Sequence, residues 1–439
     1  MPVDQLEIEI SNFRAIREAR ISLNGITVIS GENGCGKSTI SKLMYHSVKT
    51  INKYDEIIYK PFLTFLKKVS DTLINTVNDF TPLIASAKPL QREYNDFYTI
   101  ENTQKVLDII NRIADLLKTI YKNESIIKHP SVDATFINRL KKNLLEIINE
   151  DKNEEWDTII DTIIETVDQK KIKIESDILN RNINKFSDAM NQTFKHESVY
   201  DKFNLFEHGV CVTDKTKGHL LNFNSIEKTL YIDTPMAVGL YSSEIQHWSY
   251  LNEILKINNR DNISYNTSQV YHFLSDDILE GEAAYNKDPL FNHFTYKRKD
   301  GLIFNLLDCA TGIKSFAILQ ILLKNGYLDN KTLLVIDEPE AHLHPQWIVE
   351  YARIIALLNK ELGVKFLIAS HNPDMISAIK YISEKERIEN NLNFYLAEKG
   401  TDSTYTYKPL GTEIDEIFNS FNIAIDRINQ YGALDNEIF

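Results

Sequence analysis

Between Lys37 and His208 the chain contains no glycine. Tight β-turns lean on glycine, so this stretch cannot fold as a run of hairpins. Cysteine is scarce as well: Cys35, Cys211 and Cys309 lie far apart and form no C-x-x-C pair. That excludes a zinc finger and a disulfide framework, and it fits a reducing, cytoplasmic setting. No apolar run approaches the length needed to span a bilayer, so no membrane partner is expected. The start, Met1-Pro2-Val3-Asp4-Gln5-Leu6-Glu7, is acidic and lacks the apolar core of a signal peptide. Positive charge is in the minority, with 49 Lys and Arg against 62 Asp and Glu and a formal charge of −13. A nucleic-acid coat protein would show the opposite balance, although a total says nothing of a local basic groove.

The glycine-free stretch has apolar residues at helical spacing instead. Val106, Ile109, Ile110, Ile113, Leu116, Leu117 and Ile120 form one stripe, and Phe136, Ile137, Leu140, Leu144, Ile147 and Ile148 a second. Trp156, Ile159, Ile160, Ile163, Ile164 and Val167 form a third, continued by Ile178, Leu179, Ile183 and Phe186. The spacing predicts an all-helical insertion over 55–197, between the two parts of another domain at 1–54 and 198–439. Its lysine pairs, Lys141-Lys142 and Lys170-Lys171, are read as solvated helix faces rather than a nucleic-acid contact.

Glycine is concentrated just before that stretch. Gly31-Glu32-Asn33-Gly34-Cys35-Gly36-Lys37-Ser38 matches G-x-x-x-x-G-K-[ST], the phosphate-binding P-loop. Ile26-Thr27-Val28-Ile29-Ser30 reads as a buried strand before it, and Thr39 to Tyr45 as a helix after it. Strand, glycine loop and helix is the context the motif requires. The glycines let successive N–H groups of Asn33, Gly34, Cys35, Gly36, Lys37, Ser38 and Thr39 face one anion. The helix N-terminus adds partial positive charge. Lys37 supplies a cation for the β- and γ-phosphates, and Ser38 a hard oxygen for Mg²⁺.

Further strands are expected at Leu6–Ile10, Ala19–Leu23, Gly209–Thr213, Thr229–Asp233 and Gly301–Asn305, and helices at Ser315–Asn325 and Pro345–Leu362. The polar segment from Glu244 to Asn286 has no assignable role. Thr332-Leu333-Leu334-Val335-Ile336 and Lys365-Phe366-Leu367-Ile368-Ala369 are continuous apolar runs, as in a parallel sheet. The first delivers Asp337-Glu338 at its carboxyl end, where open α/β sheets bind ligands. An Asp there holds Mg²⁺, and the next carboxylate deprotonates the attacking water. The second delivers Ser370-His371, and a histidine so placed can contact a γ-phosphate.

Together these residues resemble the ABC-type ATPases of the RecF, SMC and OLD branch, over about residues 1–50 and 225–400. Gly31 to Thr39 resembles the Walker A motif, Leu333 to Glu338 the Walker B, and Ser370-His371 the switch histidine. Ala310-Thr311-Gly312-Ile313-Lys314-Ser315 occupies the place of the signature, though it is not L-S-G-G-Q. Asp233-Thr234-Pro235 stands in the position of the Q-loop but has no glutamine. Ser11-Asn12-Phe13-Arg14 resembles a segment whose arginine lies near the nucleotide. Glu338-Pro339-Glu340-Ala341-His342-Leu343-His344-Pro345 resembles the OLD-type extension, but no D-x-D follows a strand after His371, so an appended Toprim nuclease is not expected.

The resemblance implies an α/β fold, a P-loop ABC-type ATPase head with a mixed and parallel sheet plus the all-helical insertion. It implies ATP and Mg²⁺ as cofactors, held by Ser38 and Asp337 for the metal, with Glu338 and His371 catalytic. Arg14, Thr311, Gly312 and Lys314 are candidate nucleotide contacts; Lys314 either touches a partner's γ-phosphate or is a solvated residue at the start of the following helix. It further implies a homodimer or higher homo-oligomer closing around ATP. A separate effector, a nuclease or toxin, is expected as partner, as in anti-phage systems such as Septu. The alternative is a RecF-like repair ATPase, for which DNA would be the partner; a transporter subunit and a non-hydrolysing scaffold are the remaining rivals.

Overall fold

The computed structural model describes residues 6–83, 89–93, 95–148, 155–195, 198–240, 245–257, 265–287, 292–419 and 429–431. It divides into two compact units, Met1–Asn52 with Phe186–Phe439, and Lys53–Lys185. The expected boundary at 197 and parts of the unassigned 244–286 segment fall outside the described residues.

In chain order, β1 (Leu6–Phe13), β2 (Ile16–Leu23) and β3 (Ile26–Ser30) lead into α1 (Lys37–Asn52). There follow α2 (Tyr54–Phe80), α3 (Thr103–Lys122), α4 (Glu124–Ile127), α5 (Ala134–Ile148), α6 (Trp156–Leu179) and α7 (Ile183–Thr193). Then come β4 (Phe203–Glu207), β5 (Val210–Cys211), β6 (Lys228–Ile232), α8 (Gln246–Lys256) and α9 (Tyr265–His272). β7 (Gly281–Lys287), β8 (Asn292–Arg298) and β9 (Ile303–Asn305) precede α10 (Thr311–Lys324). The chain continues through β10 (Thr332–Asp337), α11 (Pro345–Leu362), β11 (Lys365–Ala369), α12 (Pro373–Lys385), β12 (Leu392–Lys399) and β13 (Tyr405–Gly411).

The first unit is built on a ten-stranded sheet in the order β5-β4-β1-β2-β13-β12-β3-β11-β10-β6. From β12 to β6 the strands are parallel, and β1 pairs antiparallel with β2 and β4. This is the mixed and parallel α/β sheet expected. β3, β10 and β11 are buried at every position, because a central parallel strand is covered on both faces. β1 instead alternates buried with half-buried residues over Leu6–Ile10, so its period of two survives. A three-stranded antiparallel sheet, β7-β8-β9, lies in the same unit. Buried Gln320 of α10 ties it down: its Oε1 accepts from Ala283 N at 2.6 Å, and its Nε2 donates to Gly281 O at 3.0 Å.

Helix caps are legible in the sequence. Pro345 and Pro373 each stand in the first turn, where no amide is needed. Asn372 accepts from Met375 N at 3.0 Å as the N-cap of α12. Gly363 closes α11 in the left-handed region at φ 71°.

The second unit is helical throughout its described residues apart from short connections. Its core joins Leu66, Leu73 and Phe80 of α2 to Val106, Ile110 and Leu117 of α3, Leu140 and Leu144 of α5, and Trp156, Ile160 and Ile163 of α6. Tyr121 stacks on Trp156 at 4.9 Å. Fully burying one such side chain stabilises by about 1.5–3 kcal/mol, so the stripes and the buried face of α2 together stabilise this unit.

Two local expectations need correction. The strand expected at Gly209–Thr213 is only the two-residue β5; the real strand is β4, just before it. His208 at φ 50° and Gly209 at φ 77° form the turn between them, and β4 buries Phe203, Leu205 and Glu207 on one face. The third stripe continues only in part: Ile178 packs on the core from a half-buried position, but Leu179 is 84% exposed. Ile183 and Phe186 lie beyond the break between α6 and α7, and Phe186 packs edge-on against Tyr200 and Phe203 of the first unit.

Candidate functional site

Register places the motifs at one edge of the sheet. Ala369 pairs with Ile29 and with Asp337, so β3, β11 and β10 end level. Ser370 N donates to Ile29 O at 3.1 Å, and Glu338 N to Ala369 O at 2.8 Å. The P-loop, Asp337-Glu338 and Ser370-His371 therefore emerge side by side. β6 ends in the same row and adds Asp233.

The P-loop curls as its glycines permit. Gly34 and Gly36 have φ of 85° and 102°, where a β-carbon would be strained. At Gly36 a β-carbon would stand 2.7 Å from Ile16, whereas nothing lies within 4 Å of one at Gly34. The loop is thus pressed against β2 at Gly36 and open at Gly34. Asn33, Gly34 and Ser38 are exposed, and Thr39 is half-buried. Cys35 is buried, and its carbonyl accepts the Tyr407 hydroxyl at 3.2 Å, which fastens the loop to β13. Lys37 Nζ donates to Gly31 O at 2.7 Å and Glu32 O at 3.1 Å, so the ammonium is satisfied by its own loop.

Asp337 is buried, and burial pushes its carboxyl above the usual range; Ser41, Tyr231, Ser38 and Lys42 pull partly back. Its Oδ2 accepts the Tyr231 hydroxyl at 2.7 Å, while Oδ1 is buried with no hydrogen-bond partner among the described residues. A buried, unpaired carboxylate oxygen beside serine hydroxyls is a hard-oxygen donor set and fits Mg²⁺.

Glu338 is half-exposed at φ 48°, a left-handed conformation rare for a residue with a β-carbon. His371 Nδ1 stands 3.4 Å from Glu338 Oε1 and 3.8 Å from Glu340 Oε1. Glu340 had no role in the sequence reading beyond its place in the extension. It is buried, accepts the Ser370 hydroxyl at 2.8 Å and His371 N at 3.2 Å, and its carboxyl is pushed up by burial. Tyr231 and the Asp233–His247–Trp248 cluster were likewise missed, because strand periodicity reveals a buried tyrosine but not what its hydroxyl meets.

The signature-like residues open α10 instead of preceding it. Thr311 is half-buried and its carbonyl accepts the Ser315 hydroxyl at 3.2 Å. A β-carbon at Gly312 would lie 2.6 Å from the Trp347 ring, so the glycine admits a close helix contact. Lys314 is not solvated, contrary to one of its two readings: it is buried, and its Nζ lies 3.7 Å from Met236 Sδ. It lies in the stretch of α10 that is buried on every side, from Lys314 to Leu323. Ser315 shares a small cleft with Thr234, Pro235, Asp337 and Glu338. Arg14, exposed at the β1–β2 turn with φ 53°, lies over Phe13 at 5.2 Å and Phe194 at 5.6 Å. Its neighbours Ala15 and Ile16 are the residues that back Gly36.

A glycine loop between a buried strand and a helix, with an aspartate ending a neighbouring parallel strand, defines a P-loop α/β ATPase domain. The chain belongs to the AAA ATPase domain family, whose profile matches residues 6–376. No functionally curated protein matches it. Among solved structures it is similar to an Smc head bound to the C-winged helix domain of ScpA, at 13% identity and a TM-score of 0.38, over 94% of this chain and 98% of that one. It is also similar to the SMC head domain from Thermotoga maritima, at 10% identity and a TM-score of 0.34, over 92% and 98% of the two chains. No helix among the described residues is long and apolar enough to cross a membrane.

Proposed function

We propose that this chain is an ABC-type ATPase head that binds ATP with Mg²⁺, hydrolyses it, and closes as a homodimer around the nucleotide. The carrying observation is the level ending of β3, β10 and β11, which gathers Lys37, Asp337, Glu338 and His371 at one sheet edge. Lys37 and the loop amides hold the phosphates. Ser38 and Asp337 hold the cation, which would screen the charge that develops on the phosphoryl oxygens. Glu338 orients and deprotonates water, and His371, beside it, contacts the γ-phosphate. Thr311 and Gly312 complete the site of a second copy.

The dimerisation cycle gates a separate effector, a nuclease or toxin, in an OLD-like anti-phage role. The helical unit recruits that effector or senses the trigger. The test is the mass of E338Q in light scattering, with and without ATP and Mg²⁺. A doubled mass with nucleotide is expected; an unchanged mass would overturn the dimer reading. Replacing the helical unit with a glycine-serine linker should keep ATP binding and lose effector capture.

A further inference from the structure

The two carboxylate oxygens of Asp337 are in unlike situations. One is bonded to Tyr231 and the other has no partner, although both are buried. Tyr231 lies on β6, the strand next to β10, and the parallel register sets it beside Val335. Its ring is buried and held on two sides, 5.7 Å from Tyr45 and 4.8 Å from His247. His247 is fixed in turn by Asp233, whose Oδ2 lies 2.8 Å from Nε2; Trp248 Nε1 donates to Asp233 Oδ1, also at 2.8 Å. The hydroxyl therefore cannot leave Asp337 without moving a packed ring, and among the described residues it meets no other hydrogen-bond partner.

A carboxylate turns about its last torsion, and its two oxygens are chemically equivalent until something distinguishes them. One bond from a fixed phenol removes that freedom. It also satisfies one lone-pair set of a buried charge that would otherwise cost free energy. We propose that Tyr231 is a positioning residue for the divalent cation: its hydroxyl holds Asp337 Oδ2 and so presents Oδ1 as the ligand. The inference rests on the reading of Asp337 as the metal-binding aspartate. Tyr231 does not touch the cation; it sets the geometry of the group that does.

The test is Mn²⁺ titration followed by electron paramagnetic resonance, on the full chain with a non-hydrolysable ATP analogue. Second-shell partners of ligating carboxylates are worth 10–100-fold in metal affinity, so Y231F should weaken Mn²⁺ by about tenfold. In turnover it should raise the Mg²⁺ concentration for half-maximal rate and leave kcat at saturating Mg²⁺ little changed. T229V removes another buried hydroxyl of the same strand, one with no partner, and should bind Mn²⁺ as the wild type does. Nucleotide binding in EDTA verifies that each variant is folded, and Phe keeps the ring packing that Tyr45 and His247 need. Wild-type Mn²⁺ affinity in Y231F, with binding lost in D337N, overturns the positioning role. An equal loss in T229V overturns it too, since any cavity in β6 would then suffice. Unchanged Mn²⁺ affinity in D337N overturns the metal-ligand reading instead.

Discussion

Glu340 accepts the Ser370 hydroxyl at 2.8 Å and thereby locks the turn after β10 to the end of β11. The same carboxylate receives His371 N, so it sets where the histidine stands against Glu338. Removing the acceptor strands two donors. E340A should therefore cost about 1–3 kcal/mol in urea denaturation and slow ATP turnover. E340Q keeps an acceptor oxygen and has no charge to bury. Because burial raises the Glu340 carboxyl, its penalty grows as pH rises above the unfolded value. E340Q should accordingly match or exceed wild-type stability at pH 8, while E340A falls below it at every pH.

K37A should lose more than one tenfold step in ATP affinity, read by equilibrium titration. The ammonium is poised on Gly31 and Glu32 carbonyls, within its own loop, so the fold should tolerate its loss. Affinity within about threefold of wild type would remove Lys37 from the phosphate site.

E338Q should retain ATP and slow hydrolysis by about 10²–10⁴-fold, since an amide cannot take the proton. Normal turnover would move the base elsewhere, with His371 the first candidate.

A mixture of K37A and T311E subunits should recover part of the ATPase activity that neither has alone, because some dimers then hold one intact composite site. Thr311 suits this test better than Gly312, where any side chain would meet Trp347. A carboxylate in the first turn of α10 is also compatible with the helix dipole. No recovery, in a mixture shown to form mixed dimers, would count against the geometry.

His46 offers a pH signature. Burial, then Lys49, lower its pKa to about 3. The unfolded chain takes up a proton near pH 6.5 that the folded chain refuses, so stability is complete above that pH and declines as pH falls towards 3. His46 is only partly buried by surface area, which screens the effect; about 1–2 kcal/mol should be lost between pH 7 and pH 5. H46N should flatten that slope in denaturation curves measured at the two values.

The motif-bearing parts of the fold were legible because backbone geometry dictates their residues. A P-loop needs its glycines, and a strand buried on both faces needs an unbroken apolar run, as in β10 and β11. β12 and β13 went unread. Leu392-Asn393-Phe394-Tyr395 and Tyr405-Thr406-Tyr407 mix polar and aromatic residues, and their partners β3 and β2 lie at the far end of the chain. The stripes of the helical unit announced its core as far as Ile178 of α6, whereas Leu179, next to it in sequence, falls off that face and is exposed. Site residues that act through a neighbour, such as Tyr231 and Glu340, were hidden for one reason. Their partners, Asp337 and Ser370, are set by register across strands, which no local pattern encodes.

The place of β3 in the sheet has a consequence for synthesis. Val28 pairs on one side with Ile368 and on the other with Phe394, so the strand that carries the phosphate loop is made long before either of its neighbours. On the ribosome, the unpaired N–H and C=O groups along both edges of that strand wait for β11 and β12 to emerge. Nascent chains halted before β11 should fail to retain ATP even with Lys37 and the whole glycine loop translated. ATP retention thus doubles as a readout of the closed sheet, and a premature stop before β11 should silence the ATPase as surely as K37A.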